Sequence, residues 1–137
     1  MWWIFALLAA LFAALTAIFA KIGIKGVDTD LATAIRTVVI LILAWGIAFF
    51  RGGASTMNTL TRQNITFLIL SGIATGLSWI FYFKALQLGK VSQVAPVDKM
   101  SVAFAILFAV IFLGEPLTWR TAIGALLIIG GSVVLIL

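Results

Sequence analysis

Residues 2–20 carry no charge, and apolar runs of similar length recur four more times along the 137 residues. Nothing else in the chain limits its fold as tightly. A helix needs about 20 residues to cross the roughly 30 Å hydrocarbon core of a bilayer. Inside that core no water completes a backbone hydrogen bond, so a single apolar run crosses it as a helix. The runs place spans at residues 2–24, 31–50, 64–86, 92–113 and 119–137. They predict an all-α integral membrane protein with five transmembrane helices, one domain over residues 1–137, in the plasma or inner membrane. Composition agrees, with 64% of residues hydrophobic and 9% charged, where soluble domains hold about half and about a quarter. The first run has a competing reading as a cleavable signal peptide. Its length, the absence of a basic residue before it and the lack of a small-x-small site near its end favour a retained span.

The inventory of side chains removes several function classes. The net charge of +5 is spread as single basic residues among apolar runs. That pattern suits membrane headgroups and orientation signals and gives no footprint for nucleic acid. There is no cysteine and no histidine, hence no disulfide, no thiolate and no imidazole, the commonest metal ligand. No Walker loop and no Ser–His or Cys–His pair is present. The chain is expected not to be an enzyme and to use no cofactor or metal.

Charges inside apolar spans are expensive and usually functional, so attention falls on residues 91–118. This stretch contains Pro96, Asp98 and Lys99 in its first third and closes with Gly114-Glu115-Pro116. Asp98 and Lys99 lie six or seven residues into span 4, roughly 9 Å below its start. Arg36 in span 2 and Lys84 near the end of span 3 fall at a similar depth. Neighbours on a helix point about 100° apart, so one of Asp98 and Lys99 could pair with Arg36 or Lys84 while the other faces a cavity. Pro96 lacks an N–H and is expected to loosen span 4 at that level. Trp79 and Tyr82 either line the resulting pocket or belong to the interfacial aromatic belt. Arg36 reads equally as a pocket residue or as a helix-pairing charge, and Lys99 is too deep to reach the interface comfortably. Gly72 and Gly76 stand in GxxxG spacing, a pattern of helix-packing faces. Asp28 or Asp30 would cap span 2, and Thr118 would cap span 5. Glu115 has a structural place at the junction of spans 4 and 5, with Arg120 as a nearby counter-charge.

Five spans leave the termini on opposite sides. The turns and helix ends after spans 1 and 3 carry Lys21, Lys25, Lys84 and Lys90, and the other side carries Arg51, Arg62 and Arg120. Four against three is a weak bias, consistent with one orientation or with insertion both ways round.

Several of these residues together resemble the EamA domain of the drug/metabolite transporter superfamily. The features are Ala85-Leu86 before a small turn, Ala95-Pro96 with Lys99 three residues beyond, Gly114-Glu115-Pro116-Leu117-Thr118, and the glycines of span 5. Spans 1 to 3 match more loosely, through Arg36 and the overall spacing. Larger members of that superfamily look like two five-helix units fused in opposite orientations around a central site. The resemblance therefore implies one half of a ten-helix inverted-repeat transporter. The expected function is secondary transport or export of small polar metabolites by alternating access, as an antiparallel homodimer in the bilayer. Lys99, Asp98, Arg36, Trp79 and Tyr82 are the expected substrate-binding residues, with Asp98 as candidate proton carrier. Pro96, Gly114, Glu115, Pro116, Gly72 and Gly76 are expected to be structural. One half of a heterodimeric transporter, or a non-catalytic subunit of a larger membrane protein, are the alternatives. No span carries a polar stripe along its length, as a channel would require.

Overall fold

The computed structural model describes residues 1–137. Each apolar run is helical and there is no strand. Helices α1 (Trp2–Gly23) and α2 (Thr29–Phe50) form the first two spans, and a 3-10 helix (Gly53–Thr59) leads to α3 (Arg62–Leu88). The fourth span is two helices, α4 (Val91–Asp98) and α5 (Ser101–Leu113), and α6 (Trp119–Ile136) is the fifth. All five spans are long and apolar enough to cross a membrane.

Side-chain caps set the helix starts. Asp28 accepts from the N–H groups of Asp30 and Leu31, both at 3.0 Å, so α2 begins at Thr29 and Asp28 is its cap. Thr61 accepts from the N–H of Asn64 at 3.1 Å and starts α3 at Arg62, earlier than the apolar run itself. Thr118 accepts from the N–H of Thr121 at 3.2 Å ahead of α6. Each cap satisfies one of the N–H groups that a helix start leaves without an internal partner. The polar stretch between α2 and α3 is ordered in the same local manner. Ser55, Thr56 and Thr59 donate to the carbonyls three residues before them, at 2.6–2.7 Å, along the 3-10 helix. At the end of α5, Gly114 takes φ 67° and ψ 22°, and its N–H and that of Glu115 both return to the Ala109 carbonyl. A side chain at that φ would be strained, which accounts for a glycine there.

The chain separates into two compact units: residues 1–19 with 88–137, and residues 20–87. In the second unit Lys21 Nζ donates to the Leu86 carbonyl, and Gln87 Nε2 donates to the Val27 carbonyl at 3.0 Å. These bonds gather the end of α1, the start of α2 and the end of α3 at one end, as alternating spans require. The buried residues of this unit, Ala20, Ile24, Thr29, Thr33, Phe83 and Leu86, come from those same segments. Farther along the helices large apolar side chains such as Leu41 and Phe81 are exposed, as surfaces facing lipid or another chain would be.

The first unit contains the break in span 4. Pro96 has no N–H, so the Ser92 carbonyl loses its helical partner. The ladder continues past the proline as far as the bond from the Lys99 N–H to the Ala95 carbonyl at 3.2 Å. Then the N–H groups of Met100, Val102 and Ala103 turn to carbonyls three residues back, each at 3.0 Å. The interruption thus lies at Lys99–Met100, one turn beyond the proline itself. An unbroken helix would bond the Pro96 carbonyl to the Met100 N–H. Here the Pro96 carbonyl accepts instead from Ser132 Oγ of α6 at 2.9 Å. Ser132 is buried and its hydroxyl also lies 2.7 Å from the Ile128 carbonyl of its own helix. A hydroxyl has one proton, so it is shared between the two acceptors and fastens α6 to the broken span.

Removing that hydroxyl leaves a backbone carbonyl without its partner away from water. Ser132→Ala is expected to lower unfolding free energy in micelles by about 0.5–2 kcal/mol. Amide exchange at residues 97–102 should quicken at the same time. Unchanged exchange there would show that the hydroxyl does not hold the break.

Candidate functional site

Polar groups deep in the spans form one cluster in each unit. In the second unit Arg36 projects from α2 about two turns inside the helix. The flanking threonines are already bonded, Thr33 to the Thr29 carbonyl and Thr37 to the Thr33 carbonyl, each at 2.8 Å. Across from Arg36 stands α3. The two helix backbones do not approach closely along their lengths, so long side chains make the contact. The guanidinium carbon lies 4.3 Å from the centroid of the Phe83 ring and 5.3 Å from that of Trp79. Trp79 and Phe83 are four residues apart, hence on one face of α3. Their ring quadrupoles attract the cation, an effect worth about 0.5–1 kcal/mol when exposed and about 2 kcal/mol when desolvated. Rings provide no lone pair in the guanidinium plane, however. Nη1 of Arg36 is buried and has no hydrogen-bond partner. No carboxylate of this unit lies within ion-pairing distance of Arg36.

Phe83 is a residue that the sequence reading missed. It is 1% exposed and is the nearer of the two rings to the guanidinium. The signal was its spacing of four from Trp79, which sets both rings on the face that meets Arg36. Tyr82 is half-buried beside it, with ring centroids 5.8 Å apart. Lys84 is exposed.

In the first unit the cluster sits at the break in span 4. Lys99 Nζ lies 3.5 Å from Asp98 Oδ2. Within this unit Asp98 and Lys99 pair with each other. Neighbours on a continuous helix diverge, but α4 ends at Asp98, and Lys99 belongs to the tight turn that follows. The pair remains accessible, the side chains of Lys99 and Asp98 being 56% and 34% exposed. It can neutralise itself, or open and offer either charge to a polar solute.

Two further expectations concern the remaining turns. Glu115 and Arg120 form no ion pair. Glu115 lies before the extended Pro116–Thr118 segment, while Arg120 is already inside α6. The Glu115 carboxylate instead borders a largely apolar groove of about 320 Å³ with Val102, Ile106, Ala109 and Thr121. Around Gly72 and Gly76, apart from their chain neighbours and the adjacent backbone of their own helix, nothing lies within 4 Å of where a Cβ would stand.

This geometry can be set beside known proteins. The EamA-like transporter family matches residues 1–137. The chain belongs to that family. A transporter of Sinorhizobium sp., named for its place in the cobO 3' region, is 45% identical over 134 residues, which are 98% of this chain and 95% of that protein. Human solute carrier family 35 member G1 is 40% identical over 67 residues, covering 49% of this chain and 18% of that much longer protein. No solved structure matches. The chain is thus a multi-pass membrane protein of a transporter family, and the two polar clusters lie within its spans.

The cation–π contact makes a quantitative demand. In a double-mutant cycle with Arg36→Met and Phe83→Leu, unfolding in micelles should reveal a favourable coupling of about 0.5–2 kcal/mol. Additive effects would mean that the ring does not hold the guanidinium.

Proposed function

We propose that this protein is a secondary transporter of small polar metabolites that works by alternating access as an antiparallel homodimer. The observation that carries the reading is the discontinuous fourth span with the accessible Asp98–Lys99 pair at its break. Broken spans with charges at mid-depth are how inverted-repeat transporters combine a hinge with a binding site. Lys99 engages the solute, and Asp98 neutralises Lys99 when no solute is bound and is the proton-carrying candidate. Pro96 and the turn after it supply the joint about which α4 and α5 move.

Family membership supports transport, and the Sinorhizobium relative of nearly equal length is named a transporter. Five spans make an odd number, so an inverted copy supplies the second repeat. The weak bias of lysine and arginine between the two sides is compatible with insertion both ways round. The surface over Gly72 and Gly76 is open to such a copy. Arg36, Trp79 and Tyr82 contribute the polar and aromatic surface of the other unit.

The test is solute counterflow in proteoliposomes across a panel of labelled amino acids, sugars and amines. Lys99→Ala should lower the flux of any transported solute by roughly ten- to a hundredfold, the loss of one charged hydrogen bond. Lys99→Arg should retain part of it. Unchanged flux in a folded Lys99→Ala protein contradicts the assignment.

A further inference from the structure

Arg36 carries more than helix pairing. A guanidinium presents five donors in one plane and two faces above and below it. Phe83 and Trp79 approach it at 4.3 and 5.3 Å, so aromatic rings provide much of its surroundings and no acceptor. Nη1 is buried without a hydrogen-bond partner. A charged donor left in that condition is destabilising, and this one lies in a span where charges are already costly. If Arg36 served only to join α2 to α3, a carboxylate or a carbonyl of this unit would be expected at Nη1, and Nη1 has neither. The neighbouring threonine hydroxyls donate to their own helix.

We propose that Arg36 is the receptor for one monoanionic oxyanion, bound edge-on in the guanidinium plane while Phe83 and Trp79 hold that plane still. Planar, two-point acceptance suits a carboxylate or a phosphodiester. The single charge of Arg36 balances one negative charge and would leave a dianion partly uncompensated. The same chemistry has two sources, the carboxylate of a dissolved metabolite and the phosphodiester of an anionic lipid. Resting on the transporter reading, the inference adds that the transported solute carries one such carboxylate. The rings matter for selectivity too: by excluding water from the faces, they leave the edge as the route by which an anion can be recognised.

Trp79 reports on the site directly. The chain has five tryptophans, so replacing Trp2, Trp3, Trp45 and Trp119 by phenylalanine leaves Trp79 as the one indole emitter. In phosphatidylcholine nanodiscs, emission from Trp79 is followed while acetate or lactate is added, with tetramethylammonium as the cation control and chloride held constant. The expected result is a saturable change with acetate and lactate, none with tetramethylammonium, and none with any of them in Arg36→Met. Arg36→Lys keeps the charge but not the fork and should weaken the response roughly tenfold or more. A second arm replaces part of the phosphatidylcholine by phosphatidylglycerol. An emission change already present without carboxylate, and lost in Arg36→Met, assigns the site to lipid; a carboxylate response that persists assigns it to solute. Flat titrations in both arms, in a protein whose far-ultraviolet circular dichroism shows it folded, overturn the proposal, as does an unaltered response in Arg36→Met. The binding readout is independent of flux. Saturable binding with flux indifferent to Lys99 would sink the transport assignment alone, and flux that needs Lys99 with flat titrations would sink the anion site alone.

Discussion

A chain that crosses hydrocarbon must complete its backbone hydrogen bonds from within, and span 4 is where this protein meets that constraint most sharply. Pro96 withdraws one donor, and the turn at Lys99–Met100 withdraws a second from the helical ladder. Lipid can replace neither. The Ser132 hydroxyl reaches the Pro96 carbonyl from another helix and so makes the break tolerable. What it secures is a joint inside a span, flanked by an acidic and a basic side chain. A helix without that interruption would point Asp98 and Lys99 away from each other; the interrupted one lets them pair. The local failure of helix geometry and the placement of charge are therefore one feature.

The two polar clusters show two ways of keeping charge in an apolar setting. Asp98 and Lys99 compensate each other across 3.5 Å and stay accessible. Arg36 has no such companion, and aromatic faces partly replace the water it has lost. A pair of opposite charges can open to receive a dipolar solute. On the proposed reading, a cation held against ring faces, with an orphaned N–H, discriminates by sign. The family assignment states that the chain belongs with transporters, and these local arrangements give that statement chemical content.

Much of the fold was legible from the apolar runs, because hydrocarbon thickness and the need for internal hydrogen bonds leave so few alternatives. Boundaries moved where a cap intervened: Thr61 draws α3 two residues earlier than hydropathy suggests. The site was legible in part. Arg36, Asp98 and Lys99 announce themselves as charges where charges are costly. Phe83 did not, because a phenylalanine in a span looks like every other apolar residue until its spacing from Trp79 is set against Arg36. Ser132 was hidden for a different reason. Its role depends on a carbonyl freed by a proline 36 positions away in sequence, a pairing that no local pattern encodes. The Asp98–Lys99 pair escaped notice because adjacent positions on a helix point about 100° apart. Glu115 and Arg120 were linked by nearness in sequence alone, and the extended segment between them keeps them from pairing.

On the proposed reading, one five-helix unit is completed by an inverted copy of itself, and the open surface at Gly72 and Gly76 is available to it. The chain has no cysteine, so a single Asn58→Cys substitution in the exposed segment between α2 and α3 supplies a unique label site. Membrane-impermeant maleimide applied separately to intact cells and to inverted vesicles measures which face that residue occupies. Comparable labelling from both faces is the result the account predicts. Labelling from one face alone contradicts it.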